Sequence, residues 1–188
     1  MNTENFWNWF SANEGQIKGI MDDNSIADEF AEELMKMDPE LRFEIGRLEG
    51  GVYDFVISCG GIKAGIPAVE QLYESAPNIP GWKFTKFKQP RPFEDKIRLG
   101  DFEFDPDSVK AMYQYNGYKT DVYLFFNDYD PEEDELFGNL TFIILDSLLG
   151  ELIVMHKIGY IEYAGMEDAE DSTQLISLKK LKSIIENS

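Results

Sequence analysis

The alternation of hydrophobic periods predicts an α+β protein, with one mixed or antiparallel sheet of about six strands and helices on one face. Three observations carry that expectation. The 188 residues are 43% hydrophobic and 14% aromatic, which supplies a packed core for a single domain. The apolar spacing switches repeatedly between a period near 3.6 and a period of about two. The order strand, strand, helix, strand over residues 41–88 recurs over residues 109–163, giving two pseudo-equivalent ββαβ halves. An N-terminal helical pair precedes them and a C-terminal helix follows.

Residues 3–21 read as a helix capped by Thr3, with Phe6, Trp9, Phe10, Ile17 and Ile20 on one face. Trp7 lies off that stripe and is free to reach a second surface. Residues 25–37 read as a second helix. Ser25 and Asp28 have capping-box spacing, Ile26, Phe30, Leu34 and Met37 form the apolar stripe, and Pro39 stops the helix.

The period then changes. Leu41, Phe43 and Ile45 alternate along a strand over 41–49, Gly50-Gly51 signals a hairpin, and 52–59 is the returning strand. Pro67 suits the first turn of a helix carrying Val69, Leu72, Tyr73 and Ala76, and Pro77 ends it. Trp82, Phe84 and, after a one-residue shift, Phe87 form the next strand. Two prolines make 89–93 a connection, and 97–104 is a short strand or irregular extension.

The second half begins with strands over 109–115 and 121–127, joined at Asn116-Gly117. A helix starts at Asp130-Pro131 and continues to Leu149, where Gly150 ends it. Residues 152–163 read as one long strand, bent at Gly159. Residues 166–174 form an acidic loop. Residues 177–187 make the terminal helix, with Leu178, Leu181, Ile184 and Ile185 inward.

Charge narrows the function classes. Asp and Glu total 36 against 17 Lys and Arg, a net charge of −19. Nucleic-acid binding and attachment to an anionic membrane both need clustered cations, so neither is expected. The first ten residues lack the basic and apolar regions of a secretory signal, and no apolar stretch reaches membrane-spanning length. The expectation is a soluble cytoplasmic protein without a cofactor. The chain's one cysteine, Cys59, excludes an intramolecular disulfide and a Cys-rich zinc site.

Several phrases carry a resemblance. They are Phe6-Trp7-Asn8-Trp9-Phe10, Leu41-Arg42-Phe43-Glu44-Ile45-Gly46, Val56-Ile57-Ser58 and Ile66-Pro67-Ala68-Val69 with Ala76-Pro77-Asn78-Ile79-Pro80-Gly81-Trp82. Leu145-Asp146-Ser147-Leu148-Leu149-Gly150-Glu151 and Lys157-Ile158-Gly159-Tyr160-Ile161-Glu162 follow in order. Together they resemble a bacterial protein family that opens on an FWxWF helix and has no assigned activity. The resemblance implies a bacterial source and a single domain, and no catalytic residue. In that family the turn after the second strand usually reads Ser-Ala-Asp-Gly. Here it is Ser58-Cys59-Gly60-Gly61, which argues against a family-wide role for Cys59.

The candidate sites divide by chemistry. Cys59 paired with His156, the chain's one histidine, would form a nucleophile and base, whereas a lone Cys in an apolar strand is ordinarily a small core residue. The run from Asp128 to Glu135 holds six acids in eight residues and could bind calcium. Its plainer use is a helix start, with Asp130 as cap. Glu167, Asp168, Glu170 and Asp171 form a second acidic segment. The glycines at 60–65 match no phosphate-loop pattern. Lys83, Lys86, Lys88, Arg91, Lys96 and Arg98 cluster among Trp82, Phe84, Phe87 and Phe93, with Glu94 and Asp95 as the acids between them. Such a strip suits intramolecular pairing or a protein partner better than nucleic acid.

The expected function is therefore a non-catalytic protein-binding module that masks a basic partner, for instance by neutralising a toxin that binds nucleic acid. Trp7, Lys83, Lys86, Lys88 and Arg91 are its candidate partner-binding residues. The alternatives are a small enzyme using carboxylates with Cys59 or His156, and a calcium binder at 128–135.

Overall fold

The computed structural model describes residues 2–93, 96–99, 102–169 and 171–188. Glu94, Asp95 and Glu170, which enter the charge expectations above, lie outside the described residues. The chain divides into two compact units, Met1–Lys88 and Gln89–Ser188. The division falls where the two-proline connection was expected.

The first unit holds helices α1 (Thr3–Lys18), α2 (Ala27–Met35) and α3 (Ile66–Glu74), with strands β1 (Arg42–Arg47), β2 (Tyr53–Ser58) and β3 (Trp82–Lys86). β1 and β2 are antiparallel, β2 and β3 are parallel, and α3 makes the crossover. Gly50 and Gly51 both take positive φ, 78° and 79°, which is why glycine occupies that hairpin. Phe87 also takes a left-handed φ of 57°. That one residue shifts the alternation, so Trp82 and Phe87 are both buried despite their odd spacing.

Two helix caps differ from expectation. Asn2, not Thr3, caps α1, its side chain accepting from the Asn5 N–H at 3.3 Å. Ser25 does not cap α2. It bonds to Asp23 inside a 3₁₀ turn, and α2 starts two residues later. Asn2 reaches the free amide of α1 first, whereas Ser25 is taken up by Asp23 and α2 begins without a side-chain cap.

The core of this unit is aromatic. Phe6, Phe10, Phe30 and Phe55 are essentially inaccessible. Phe10 stacks on Phe55 with centroids 5.6 Å apart, and Phe30 meets Phe43 edge-on at 4.4 Å. Such pairs add to the burial of large apolar area.

The second unit holds a short hairpin, β4 (Ile97–Leu99) with β5 (Phe102–Phe104), and a four-stranded sheet. That sheet uses β6 (Lys110–Tyr115), β7 (Thr120–Phe126), β8 (Ile158–Gly165) and β9 (Ile176–Ser177), in the order β8-β7-β6-β9. Helices α4 (Asp134–Leu149), α5 (Glu151–Lys157) and α6 (Leu178–Glu186) complete the unit. β6 and β7 are antiparallel, and β8 returns parallel to β7 through α4 and α5. The strand order and connection thus repeat those of β1, β2, α3 and β3. The expected single sheet does not form, because the two ββαβ runs build separate sheets.

The long strand expected over 152–163 is half helix. Gly150, at φ 84°, ends α4, and α5 leaves it at an angle of 101°. Glu151, Val154, Met155 and Ile158 are buried at i, i+3, i+4 and i+7, a helical spacing that the β-branched pair Ile153-Val154 obscured. Lys119 Nζ closes the helix end, donating to the carbonyls of Met155 at 2.9 Å and Ile158 at 2.6 Å. Val122, Leu124 and Phe126 pack on Leu140, Ile144, Leu145, Leu148, Leu181 and Ile185, so α4 and α6 cover one face of the sheet. Among the described residues no single helix is long and apolar enough to cross a membrane.

Candidate functional site

Strand alternation that sends Val122 and Leu124 toward the helices sends their neighbours to the opposite face of the second sheet. On that face Met112, Tyr123 and Glu162 stand side by side, one from each of β6, β7 and β8. Lys110, Phe125 and Ala164 form the adjacent row. The 3₁₀ turns Met166–Asp168 and Ser172–Gln174 carry Asp168 and Gln174 to the edge of this face. All of these except Lys110 line a groove of about 520 Å³. That volume lies in the range of ligand sites, roughly 300–1,000 Å³. Glu162 and Asp168 supply its charge, and no Lys or Arg occurs among its described lining residues.

The groove has a braced border. Asp121 Oδ1 accepts from the Tyr160 N–H at 2.8 Å and from Asn116 Nδ2 at 3.0 Å. This ties the β6–β7 turn to the start of β8. Tyr160 lies two residues before Glu162 on β8, and its ring centroid is 6.1 Å from that of Tyr123. The Glu162 charge beside the Tyr160 phenol raises its pKa, with burial and a hydrogen bond to Glu162 adding to the effect. At the other end, the Thr173 hydroxyl, the Gln174 amide and the Thr173 N–H bond to Asp171 and lower its pKa.

The sequence candidates fall elsewhere. Trp7 is 4% exposed. Its Nε1 donates to Ser75 Oγ at 3.0 Å and its ring meets Phe84 edge-on at 4.8 Å, so it packs as a core residue and is not offered on the surface. It is Trp9, assigned to the core stripe, that is partly exposed and bonded to Glu29. The basic strip is divided. Lys83, Lys86 and Lys88 belong to the first unit, Arg91 and Lys96 to the second, and the Arg98 side chain lies outside the described residues.

The strip's cations have internal partners. Lys83 lies 3.5 Å from Asp54, which also accepts from Thr85 Oγ1 at 2.7 Å. Lys86 Nζ stands 5.5 Å from the Tyr73 ring centroid. Lys88 lies 3.5 Å from Glu44, and Lys96 pairs with Glu103. The Arg91 guanidinium donates through Nε to Ser147 Oγ at 3.4 Å. Trp82 and Phe87 are buried, so the strip presents no row of aromatic faces.

Cys59 is fully buried against Gly65, where an added Cβ would lie 2.7 Å from the Cys59 Cβ. His156 is exposed on α5 of the second unit instead of lying in a strand. A buried thiol offers no access to a substrate, so Cys59 has the surroundings of a packing residue.

The acidic run over 128–135 serves the helix start. Asp130 accepts from the Glu132 N–H at 2.9 Å, and Pro131 opens the 3₁₀ turn before α4. Asp134 takes the hydroxyls of Tyr129 at 2.8 Å and Tyr163 at 3.1 Å. Among the described residues no three His, Cys, Asp or Glu side chains are grouped to hold a metal ion.

The Tyr129 pKa is pushed up to about 12, first by its hydrogen bond to Asp134 and then by burial and the Asp134 charge. The neutral phenol is the favoured form. Its stabilisation is complete below the ordinary tyrosine pKa of about 10 and is lost as pH rises through about 12. An alkaline titration followed by tyrosinate absorbance should therefore lose a step near pH 12 in Tyr129→Phe. Ionisation of Tyr129 in the ordinary range would contradict that assignment.

The groove residues carried one sequence signal. A solvated sheet face alternates polar residues, yet Met112, Tyr123 and Phe125 are apolar at those positions. Comparison with known protein families, curated proteins and solved structures finds no match. The fold and the face define an α+β protein of two ββαβ units, the second presenting an apolar-floored, acid-edged groove.

Proposed function

We propose that this chain is a non-catalytic protein-binding module that takes a basic segment of a partner protein on the outer face of its second sheet. The groove floored by Met112, Tyr123 and Phe125, with Glu162 and Asp168 as its charged residues, carries this reading. An apolar floor gives area to bury, and the carboxylates select the sign of the incoming charge. The net charge of −19 adds long-range attraction for a cationic surface. In this reading the module masks the partner's basic patch.

The test is an NMR titration of the full chain with a short lysine- and arginine-containing peptide and with its glutamate counterpart. The basic peptide should shift the amides of residues 112–114, 123–125 and 162–164, and added salt should weaken the effect. Reversing both exposed charges, in Glu162→Lys with Asp168→Lys, should weaken binding at least about tenfold. Shifts confined to other surfaces, or equal binding of the acidic peptide, would overturn the reading.

A further inference from the structure

Three features narrow what the groove recognises. Tyr123, in the groove, and Tyr160, one row beyond it, meet at 60° with centroids 6.1 Å apart. Glu162 is paired with Tyr123 across the β7–β8 ladder and shares the face of Tyr160, two residues along β8. The Tyr160 backbone is pinned by Asp121 and the residue is 54% exposed, so an aromatic side chain is offered to solvent from a fixed origin. Two aromatic rings and a carboxylate thus converge on one patch, with no cation among the described residues lining the adjoining groove.

We infer that the partner's anchor on this face is an arginine side chain, its guanidinium lying against the Tyr123–Tyr160 pair and donating to the Glu162 carboxylate. The inference rests on the reading of the groove as a site for a basic segment. It goes further by naming the anchoring chemistry. A guanidinium is planar, weakly hydrated and forked. It can stack on an aromatic face and give two parallel N–H bonds to one carboxylate. A lysine ammonium is a hydrated point charge and uses the ring face less well. The acidic edge suits either cation, whereas the tyrosine pair distinguishes them.

The experiment uses the full chain and four blocked glycine–serine peptides that differ at one central residue: arginine, lysine, citrulline or norleucine. Citrulline keeps the shape of arginine and removes its charge. Ring and amide signals of Tyr123, Tyr160 and Glu162 are followed by NMR at millimolar peptide. The arginine peptide should shift all three and bind about three- to tenfold more tightly than the lysine peptide. Citrulline and norleucine should leave them unmoved.

Two variants at exposed positions separate the contributions. Tyr160→Leu should bring arginine down to the level of lysine and so abolish the preference between them. Glu162→Gln should weaken both. Equal affinity for arginine and lysine, or an arginine preference that survives Tyr160→Leu, would overturn the arginine anchor while leaving a basic-segment site in place. If neither basic peptide shifts any groove residue, the anchor and the underlying reading fall together.

Discussion

Phe55→Ala is expected to cost about 3–5 kcal/mol, a large fraction of the roughly 5–15 kcal/mol that holds an ordinary domain folded. Phe55 sits on the central strand of the first sheet, in register with Ile45 of β1 and Phe84 of β3, and has no exposed surface. Its ring has neighbours on two helices, α1 and α2, besides the sheet. Phe10 stacks on it at 5.6 Å, Phe30 meets it edge-on at 5.2 Å, and Phe6 and Trp7 lie at 6.2 and 6.1 Å. Alanine removes one partner from each of these pairs and leaves a void between helices and strands that cannot all move inward.

The readout is convenient. The chain's three tryptophans, Trp7, Trp9 and Trp82, all lie in the first unit, so tryptophan fluorescence during urea unfolding reports on it. Phe142→Ala, at a residue 54% exposed on α4, is the control and should change stability by no more than about 0.5 kcal/mol. A Phe55→Ala loss below about 1 kcal/mol would mean that the ring is not packed as described.

Gly159→Ala is expected to cost about 2–3 kcal/mol and to disturb the groove as well as the fold. A Cβ at 159 would clash with Asp121 Oδ1 and stand 3.2 Å from Asn116 Nδ2 and 3.3 Å from the Lys119 Cβ. Asp121 is short and is already engaged by the Tyr160 N–H and Asn116, so it cannot yield without giving up those bonds. The bulge between Thr120 and Val122 concentrates the strain at the same place. Faster hydrogen exchange at the Tyr160 amide and a shifted Tyr123 ring signal should accompany the loss. Gly15→Ala gives the opposite sign, because a Cβ there in α1 meets nothing within 4 Å and alanine is the better helix former. Unchanged exchange at Tyr160 would show that the Asp121 brace does not hold the start of β8.

How much of this was legible in the residues depended on whether local signals agreed with the final packing. The Gly50-Gly51 and Asn116-Gly117 turns, the Asp130-Pro131 start and the Gly150 stop were all readable, because each is set by backbone sterics within a few residues. Residues 151–157 were misread because Leu152-Ile153-Val154 has strand propensity. The helix there is stabilised by burial of Glu151, Val154 and Met155, which depends on residues far away in the chain. Trp7 was misplaced for a related reason. Its neighbours in the first helix define a stripe, but Phe84 and Ser75 from other elements turn the off-stripe face inward as well.

The candidate site was less legible than the fold. Cys59, His156, the basic strip and the acidic runs are conspicuous in a linear reading, yet the described contacts assign most of them to packing, ion pairing and capping. Met112, Tyr123, Tyr160 and Glu162 are unremarkable one by one. They become a group through the β6–β7 and β7–β8 registers.

Composition and periodicity were sufficient for the α+β class, the two ββαβ runs, the turns between strands and the strong negative charge, because these follow from local backbone preference and from counting. Division into two sheets, the helical identity of α5, the burial of Trp7 and the assembly of the groove required the folded chain. Each depends on which distant residues come to share a face, and sequence spacing does not encode that when strand pairing sets the neighbours.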